Sequence, residues 1–210
     1  MLNQQGFNLW ADGYDKTVQL SEENNQYPFA GYKAILSTIF NEVMQKKESS
    51  ILDIGFGTGV LTTKLYEKGH SIDGLDFSSK MIEIAQSKMP KANLIQWDLS
   101  NGLPPTIANK KYDAIVSTYT LHHFTDETKV QLIKQLLTLL ATSGKVYIGD
   151  IAFETEKQLE VCRQNSMNHW DDEEFYFIQE EFSNLLEPYC HIEFYPLSHC
   201  GGVFIISPKI

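Results

Sequence analysis

The sequence predicts an α/β fold: a doubly wound, mostly parallel seven-stranded sheet with helices on both faces and a C-terminal antiparallel hairpin. Short apolar runs alternate along the chain with longer segments of helical periodicity, which is the pattern of βαβ units. The last two strand-like runs are too close in sequence for a crossover helix, so they predict the hairpin. At 210 residues the chain can bury one sizeable core, and we expect a single domain.

The N-terminal half predicts a helix and then a first βαβ unit. Between residues 28 and 47, apolar side chains recur at three- and four-residue steps, as on one face of a helix. The apolar run 51–54 is short and followed by a glycine, which is typical of a buried strand. Two helices at 59–68 and 79–88 then flank a second strand at 71–76.

The C-terminal half continues this alternation and ends in paired strands. It contains three more predicted strands and one long amphipathic helix, the strands at 94–97, 112–117 and 145–151 and the helix at 126–140. The runs 192–197 and 203–207 are strand-like and are separated by a predicted turn at Gly201-Gly202. We expect these two runs to pair antiparallel at the sheet edge.

Composition limits the classes of partner and the cellular location that we expect for the protein. The formal net charge is −10, from 17 Lys and Arg against 27 Asp and Glu, and no long basic run offsets it. Because nucleic-acid affinity depends on neutralising phosphates, we expect no nucleic-acid partner. We also expect a cytoplasmic protein without a membrane partner, because the first ten residues lack a signal-peptide pattern and no apolar run reaches the roughly 18 residues of a membrane span.

A glycine-rich loop follows the first predicted strand in Leu52-Asp53-Ile54-Gly55-Phe56-Gly57-Thr58-Gly59. Glycines at this place let the backbone approach a nucleotide closely. The third glycine is at 59, whereas a dinucleotide fingerprint needs it at 60, which is Val60. Together with Asp53, two residues before the first glycine, this spacing favours S-adenosyl-L-methionine over NAD.

Carboxylates follow the next two predicted strands. Asp76 ends the second strand, 21 residues after Gly55, where it can accept hydrogen bonds from both ribose hydroxyls. Asp98 follows the third strand and can accept from an adenine amino group. Parallel strands end at one edge of a sheet, so these carboxylates are predicted to converge with Asp53. The alternative is that the glycines are turn residues and the acidic residues are solvated caps.

The motifs Leu52 to Gly59, Gly74-Leu75-Asp76 and Trp97-Asp98-Leu99 resemble those of the class I, seven-stranded, Rossmann-like adenosylmethionine-dependent methyltransferases. The resemblance covers roughly residues 28 to 150. Residues 10–15 and 117–124 are similar to a small-molecule subgroup found in bacilli. The resemblance implies that the glycine loop holds the methionine part, that Asp76 binds ribose and that Asp98 lies beside adenine.

Nine residues are predicted to bind the cofactor S-adenosyl-L-methionine. They are Asp53, Gly55, Gly57, Gly59, Asp76, Phe77, Asp98, Leu99 and Tyr119. The corresponding organisation of the single methyltransferase domain (1–210) is an N-terminal helical cap (1–50), a cofactor-binding core (51–151) and a substrate-side insertion with the C-terminal hairpin (152–210).

The candidate catalytic residues, which would act on the methyl acceptor, lie after the fourth strand and near the N-terminus. His122 and His123 are candidate bases, and because adjacent residues point in different directions, at most one is expected to face the cleft. The alternative is that one of them orders its loop through a backbone hydrogen bond. Tyr14, with Trp10 and Tyr27, can cover the sulfonium by cation–π attraction or can simply pack on the core. The acidic and aromatic stretch 170–177 is the predicted region of substrate selection.

The cysteines do not predict a metal site. Cys162, Cys190 and Cys200 are odd in number and widely spaced, which fits free thiols. If 191–199 is one strand, Cys190-His191 and His199-Cys200 lie at opposite ends, about 26 Å apart.

The predicted function is therefore an enzyme that transfers a methyl group from adenosylmethionine to a small-molecule acceptor and releases S-adenosylhomocysteine. A protein that senses adenosylmethionine without catalysis is the first alternative. An NAD-dependent oxidoreductase is the second alternative, and the glycine spacing and the terminal hairpin oppose it. The sequence specifies neither the acceptor nor the oligomeric state.

Overall fold

Strands and helices alternate along most of the chain in the computed structural model, which describes residue 16 and residues 18–209. The strands are β1 Ser50–Ile54, β2 Ser71–Asp76, β3 Asn93–Gln96, β4 Tyr112–Thr118, β5 Leu140–Phe153, β6 Phe177–Ile178, β7 Cys190–Pro196 and β8 Gly201–Pro208. The α-helices are α1 Tyr32–Val43, α2 Val60–Glu67, α3 Ser79–Lys88, α4 Asp126–Thr138, α5 Glu156–Asn165 and α6 Gln179–Leu186. Short 3-10 helices lie at Leu99–Asn101, Pro105–Ile107 and Leu121–His123, and residues 18–23 are also helical.

The sheet confirms the predicted fold class. Its strand order is β3-β2-β1-β4-β5-β8-β7, and β6 pairs with β5 beside that path. The neighbours from β3 to β5 are parallel, whereas β8 is antiparallel to both β5 and β7. The order reverses between β1 and β4, and open α/β sheets bind their ligands at the carboxyl ends of the strands beside such a reversal.

Two apolar cores flank the sheet. Ile51 and Leu52 of β1 are both fully buried, but they belong to different cores because successive strand residues point to opposite faces. Helices α1 and α2 contribute Ile35 and Leu65 to the first core. Helices α4 and α6 cover the other face, where Phe182 is buried. The helices therefore cover both faces, which the doubly wound prediction required.

The fifth strand is longer than its apolar run indicates. It covers Leu140–Phe153 rather than 145–151, and α4 ends at Thr138 rather than at residue 140. Tyr112 pairs with Leu140 and Ala114 pairs with Lys145, so the ladder contains an irregularity between these two pairs. A Cβ on Gly144 would lie 2.7 Å from the Tyr112 carbonyl oxygen, so glycine allows the bulged strand to pass close to β4.

The prediction that Gly201-Gly202 forms the hairpin turn is wrong. Both glycines lie inside β8, opposite Ile151 and Asp150 of β5, and the turn is formed by residues 197–200. A Cβ on Gly202 would lie 2.5 Å from the Phe194 ring. The glycines are thus required by close packing across the hairpin and not by a chain reversal.

Shorter elements escaped prediction. Helix α1 covers Tyr32–Val43 rather than 28–47, because Gly31 adopts a left-handed φ of 76° that does not belong to a helix interior. The third strand is shifted by one residue, and the two-residue strand β6 is too short to show a periodicity. Among the described residues, no helix combines the length and apolarity needed to cross a bilayer.

Candidate functional site

A cavity of about 610 Å³ lies at the carboxyl ends of β1 to β4. Its wall is formed by the loops that follow these strands, including most of the predicted glycine loop and the segment after β4. Eight of the nine predicted cofactor residues belong to this wall, namely Asp53, Gly55, Gly57, Asp76, Phe77, Asp98, Leu99 and Tyr119. The predicted residues therefore surround one space.

The glycine loop combines an open backbone with close protein packing. Apart from the chain neighbours of Gly57, no heavy atom of the described residues lies within 4 Å of the place where a Cβ of Gly57 would stand, and Gly57 has a φ of 55°. At Gly55, by contrast, a Cβ would lie 2.1 Å from the Thr120 hydroxyl oxygen. The loop thus leaves its Gly57 backbone accessible from the cavity while Gly55 packs against the segment after β4.

Gly59 has a different position from the other two glycines. It is the N-cap of α2 and does not line the cavity. A Cβ on Gly59 would lie 3.2 Å from the Met89 side chain and 3.4 Å from Ala85. Gly59 therefore caps the start of α2, and its lack of a side chain allows that helix to approach α3.

Asp76 joins the glycine loop to the end of β2. Its Oδ2 accepts a hydrogen bond from the Gly57 amide at 2.8 Å, and its Oδ1 accepts one from the Ser78 amide at 2.9 Å. Burial raises the pKa of Asp76 to about 6, against the lowering effect of these amide bonds. Each carboxylate oxygen can accept more than one hydrogen bond, so Asp76 keeps capacity for a ligand hydroxyl.

Asp53 presents an unsatisfied carboxylate oxygen at the cavity wall. The side chain is 1% exposed, and Thr62 donates its hydroxyl hydrogen to Oδ2. Oδ1 has no hydrogen-bond partner among the described residues. Burial raises the pKa of Asp53 to about 7, and the Thr62 hydrogen bond opposes this shift. A donor or a positive charge in the cavity would satisfy this oxygen.

These features fit adenosylmethionine. The amino-acid ammonium and the sulfonium of that molecule carry positive charge, and its ribose carries two hydroxyl donors. The wall offers Oδ1 of Asp53, which has no hydrogen-bond partner in the described part of the chain, together with the Asp76 carboxylate and the open Gly57 backbone. The donor and acceptor chemistry on the two sides is complementary.

Asp98 and Tyr119 lie on two other sides of the cavity. Asp98 is exposed, and its Oδ1 accepts the Ser100 amide at 2.9 Å, which starts a 3-10 helix. Tyr119 is buried with a positive φ of 50°, and its ring lies 5.3 Å from that of Tyr32 and 5.1 Å from that of Phe29. Tyr32, which sequence reasoning missed, therefore forms an aromatic wall together with Tyr119.

The predicted aromatic cover lies partly elsewhere. Tyr14 and Trp10 fall outside the described residues. Tyr27 does not line the cavity, because its ring stacks on Trp170 at 4.9 Å and its hydroxyl is hydrogen-bonded to that of Tyr176.

The two candidate histidines have different environments. His123 lines the cavity, whereas His122 is buried behind it. Nδ1 of His122 lies 2.6 Å from Oδ1 of Asp150, a fully buried carboxylate that also accepts the Leu121 and Ile151 amides. Burial lowers the pKa of His122, but the charge and hydrogen bond of Asp150 outweigh it, so the net shift is upward. His122 and Asp150 thus form a buried ion pair.

His123 is kept neutral. Burial and the positive charge of His122 lower the pKa of His123 to about 3. Glu174 lies between the two rings, with Oε1 3.5 Å from Nε2 of His122 and 3.6 Å from Nδ1 of His123. Burial raises the pKa of Glu174. The cavity therefore ends in a neutral imidazole backed by a partly buried carboxylate.

Sequence reasoning missed Asp150 and Glu174 as site residues. Asp150 lies toward the C-terminal end of the fifth strand, where the same strand-end logic that selected Asp76 applies. Glu174 belongs to the stretch 170–177, which was selected for its composition, but no pattern distinguishes it from the neighbouring acidic residues.

The loop that carries Glu174 is fixed to the histidine segment by backbone hydrogen bonds. The Phe175 amide donates to the His122 carbonyl oxygen at 2.7 Å. The Phe175 carbonyl oxygen accepts from Nζ of Lys129 at 2.5 Å, and Lys129 also pairs with Asp126 at 2.8 Å. The Lys129 side chain is fully buried. This clamp holds Glu174 beside the histidines.

The cysteine–histidine pairs separate as expected, although β7 ends at Pro196 and does not reach residue 199. Cys190 is opposite Pro208, at the far end of the hairpin from Cys200. However, the fold brings His199 and Cys200 together with Cys162. That grouping was not foreseen, because Cys162 lies on α5, far away in sequence.

Comparison with known proteins agrees with this geometry. Residues 51–144 match the family model described as a methyltransferase domain. An uncharacterized methyltransferase of Oceanobacillus iheyensis is 35% identical over 211 residues, covering 97% of this chain and 95% of that relative. A second uncharacterized methyltransferase, from Staphylococcus carnosus, is 32% identical and covers 89% of this chain and 83% of its own length.

Solved structures share the fold at low sequence identity. The complex of DhpI with SAH has a TM-score of 0.73 at 17% identity, covering 98% of this chain and 95% of that chain. Magnesium protoporphyrin IX methyltransferase from Synechocystis with bound SAH has a TM-score of 0.67 at 17% identity, covering 86% and 85%. A ribosomal protein L11 methylase from Lactobacillus delbrueckii has a TM-score of 0.54 at 20% identity, covering 83% and 78%.

Proposed function

This chain belongs to the class I, S-adenosyl-L-methionine-dependent methyltransferase family, and we propose that it methylates a small-molecule acceptor and releases S-adenosylhomocysteine. The observation that carries the proposal is the cavity at the ends of β1 to β4, in which an open glycine loop meets two buried carboxylates and a neutral histidine. The net charge of −10 disfavours a nucleic-acid acceptor, and the concave site favours a compact one.

Cofactor binding is assigned to one half of the cavity. We assign Asp76 to the ribose hydroxyls and the Gly55–Gly57 backbone, with Asp53, to the methionine part. Phe77, Asp98 and Leu99 are assigned to the adenine side, since they follow β2 and β3. The order of these residues along the sheet edge supports this arrangement, and the unsatisfied Asp53 oxygen supports a positively charged group near β1.

Methyl transfer is assigned to the other half. The cofactor, held by Asp53, Asp76 and the glycine loop, would supply an electrophilic methyl group on a sulfonium, with S-adenosylhomocysteine as the leaving group when the acceptor atom bonds to the methyl carbon. The protein must therefore orient the acceptor and exclude water, for which Tyr32, Tyr119 and Phe124 provide aromatic wall surface. As the new bond forms, the acceptor must lose its proton to a nearby group or to solvent.

His123 and Glu174 are the proposed acceptor-side pair. A neutral His123 can accept a hydrogen bond from an acceptor O–H, N–H or S–H group and so orient its lone pair. With a pKa of about 3, His123 holds a proton poorly, so it acts as a relay: its Nε2 takes the acceptor proton while the proton on Nδ1 passes to Glu174, 3.6 Å away, whose raised pKa makes it the better final proton acceptor. The His122–Asp150 ion pair fixes the segment on which His123 stands. We propose that His122 positions this pair and does not itself contact the acceptor.

The proposal is tested by ligand binding followed by turnover. Isothermal titration with adenosylmethionine, S-adenosylhomocysteine and NAD should show binding of the first two and not the third. Incubation with methyl-labelled cofactor and separate pools of metabolites, protein and RNA should then move label into the metabolite pool. Binding of NAD alone would contradict the cofactor assignment. Label in protein or RNA would contradict the acceptor class, and binding without transfer to any pool would favour a sensor.

A further inference from the structure

A cluster of two thiols and an imidazole lies outside the cavity. The ligand atoms of Cys162, His199 and Cys200 all lie within 4.8 Å of one another. Cys162 and Cys200 are buried, whereas His199 is exposed. None of the three lines the cavity. The cluster therefore belongs to no part of the proposed methyl-transfer site.

The three residues stand on a rigid framework. Cys162 lies in the last turn of α5, and His199 and Cys200 lie in the turn between β7 and β8. The Leu197 and Ser198 amides both donate to the Gly201 carbonyl oxygen at 3.0 Å, which closes this turn. The Cys200 carbonyl oxygen also accepts from the Ala152 amide of β5 at 3.1 Å. Both cysteines are thus held by hydrogen-bonded backbone on either side of the cluster.

The distances are close to those of a metal centre. Zinc binds thiolate sulfur at about 2.3 Å and imidazole nitrogen at about 2.0 Å, so tetrahedral ligand atoms lie about 3.3–3.8 Å apart. The ligand atoms of Cys162, His199 and Cys200, which all lie within 4.8 Å of one another, are therefore near the separations that a tetrahedral centre requires. The exposure of His199 leaves access for a water molecule in a fourth position.

From this arrangement we propose that Cys162, His199 and Cys200 bind a zinc-class divalent cation, with a solvent molecule as the fourth ligand. Two sulfurs and one nitrogen select borderline cations such as Zn²⁺ and Co²⁺ over Mg²⁺ and Ca²⁺, which prefer oxygen ligands. The cation joins α5 to the β7–β8 turn. That turn packs against the start of α1, because a Cβ on Gly31 would lie 2.9 Å from the Ser198 Cβ. The bound ion therefore tightens three elements at one side of the sheet.

Cobalt titration of the reduced 210-residue chain tests the site. We expect about one Co²⁺ per chain, with a thiolate-to-cobalt charge-transfer band that Zn²⁺ abolishes by displacement and Mg²⁺ does not. A titration without the charge-transfer band would overturn the proposal, because it would show that the thiols are not ligands. The readout needs neither cofactor nor turnover, so its failure would leave the proposed methyltransferase activity untouched.

Matched variants locate the site. His199→Ala should weaken Co²⁺ binding at least tenfold, in line with the roughly 10–100-fold cost of disturbing the groups around a metal. His191→Ala, an exposed histidine of β7, is its control and should bind as the parent does. Cys162→Ser should weaken the charge-transfer band, and Cys190→Ser should not. Equal binding by the His199→Ala and His191→Ala proteins would overturn the assignment.

The exposed position of His199 keeps this test independent of folding. Cys162 and Cys200 are buried, so a serine at either place can destabilise the chain, and circular dichroism is measured on each variant. If Cys162→Ser is unfolded, the His199→Ala comparison alone decides the question. In the parent, saturating Zn²⁺ should raise the melting temperature, and His199→Ala should lose most of that rise.

Discussion

At the scale of single residues, burial controls the acid–base properties of the site. Asp53 and Asp76 are carboxylates whose pKa values are raised by burial to about 7 and about 6. His123 shifts in the other direction for the same reason, because burial penalises its charged form. Around neutral pH the cavity therefore contains carboxylates close to their titration and an imidazole far from its own.

Replacing Asp76 should weaken cofactor binding. Asp76→Asn keeps the volume of the side chain but removes the negative charge of the carboxylate, which accepts hydrogen bonds from the Gly57 and Ser78 amides. Hydrogen bonds to a charged group contribute about 1.5–3 kcal/mol, so we expect the Kd for adenosylmethionine to rise about 10- to 100-fold in calorimetry. The control is Asp172→Asn, which changes an exposed carboxylate away from the cavity. Equal affinities for the two variants would remove Asp76 from the site.

Cofactor affinity should depend on pH through Asp53. A positively charged ligand binds better to the ionised carboxylate, so affinity for adenosylmethionine should rise between about pH 5 and pH 8. The folded pKa values of Asp53 and Asp76 lie above that of an unfolded Asp, about 3.9. Their contribution to the stability of the free protein is therefore complete below about pH 4 and is lost as pH rises through about 6 to 7.

Two titrations check this opposite behaviour. Calorimetry across the pH range should show the rise in affinity, and Asp53→Asn should flatten it. Urea unfolding of the ligand-free parent should show the loss of stability over the same range, and the same variant should reduce that loss. An Asp53→Asn protein with the full pH dependence of the parent would show that another group is responsible.

Glu174 should affect turnover without affecting cofactor binding. Glu174→Gln retains the shape of the side chain but cannot accept the proton that His123 passes on from the acceptor. General-base assistance contributes about 10²–10⁴-fold, so we expect kcat to fall by about 10² or more on the acceptor identified by methyl release. The Kd for adenosylmethionine should not change. Glu180→Gln, an exposed change on α6, is the control and should retain the parent kcat. A parent-like kcat in Glu174→Gln would mean that the acceptor loses its proton to solvent and not to Glu174.

At the scale of elements, the hairpin illustrates where sequence patterns mislead. A pair of glycines between two apolar runs is a common turn signal, yet here both glycines are strand residues. What determines their place is the Phe194 ring, which lies across β8 where a Gly202 side chain would stand. A contact between strands is not visible in the order of residues along one strand.

Gly202→Ala should destabilise the hairpin. The added Cβ would lie 2.5–2.6 Å from Phe194 ring atoms and 2.8 Å from the Tyr195 carbonyl oxygen. Overpacking of this kind costs about 1–3 kcal/mol, which should appear as a lower midpoint in urea unfolding with an unchanged slope. In the Phe194→Leu background the same substitution should cost less, because the ring is gone. An equal cost in both backgrounds would mean that the ring is not responsible.

At the scale of the whole molecule, the part of the fold predicted correctly is the part with strong periodicity. The alternation of the strands 51–54 and 71–76 with the helix 59–68 predicted the parallel sheet. A strand buried on both faces gives a continuous apolar run, and a helix buried along one stripe gives apolar residues at three- and four-residue steps. The place of Asp53 and Asp76 in the cavity wall was predictable for the same reason, since both residues lie at the carboxyl ends of predicted strands. Glu174 and Cys162 were not predictable, because each meets its partners through tertiary contacts that span long stretches of chain.

The position of β8 has a consequence for how the protein is made. β8 is the last strand in chain order, yet it lies between β5 and β7. It forms the antiparallel ladder with Val146–Ile151 of β5. While the ribosome is still synthesising residues 201–208, the hydrogen-bonding groups of β5 on that side have no strand to pair with. An open edge of this kind invites association with other nascent chains. Protection of this edge of β5 therefore has to wait until β8 has been synthesised and has inserted between β5 and β7.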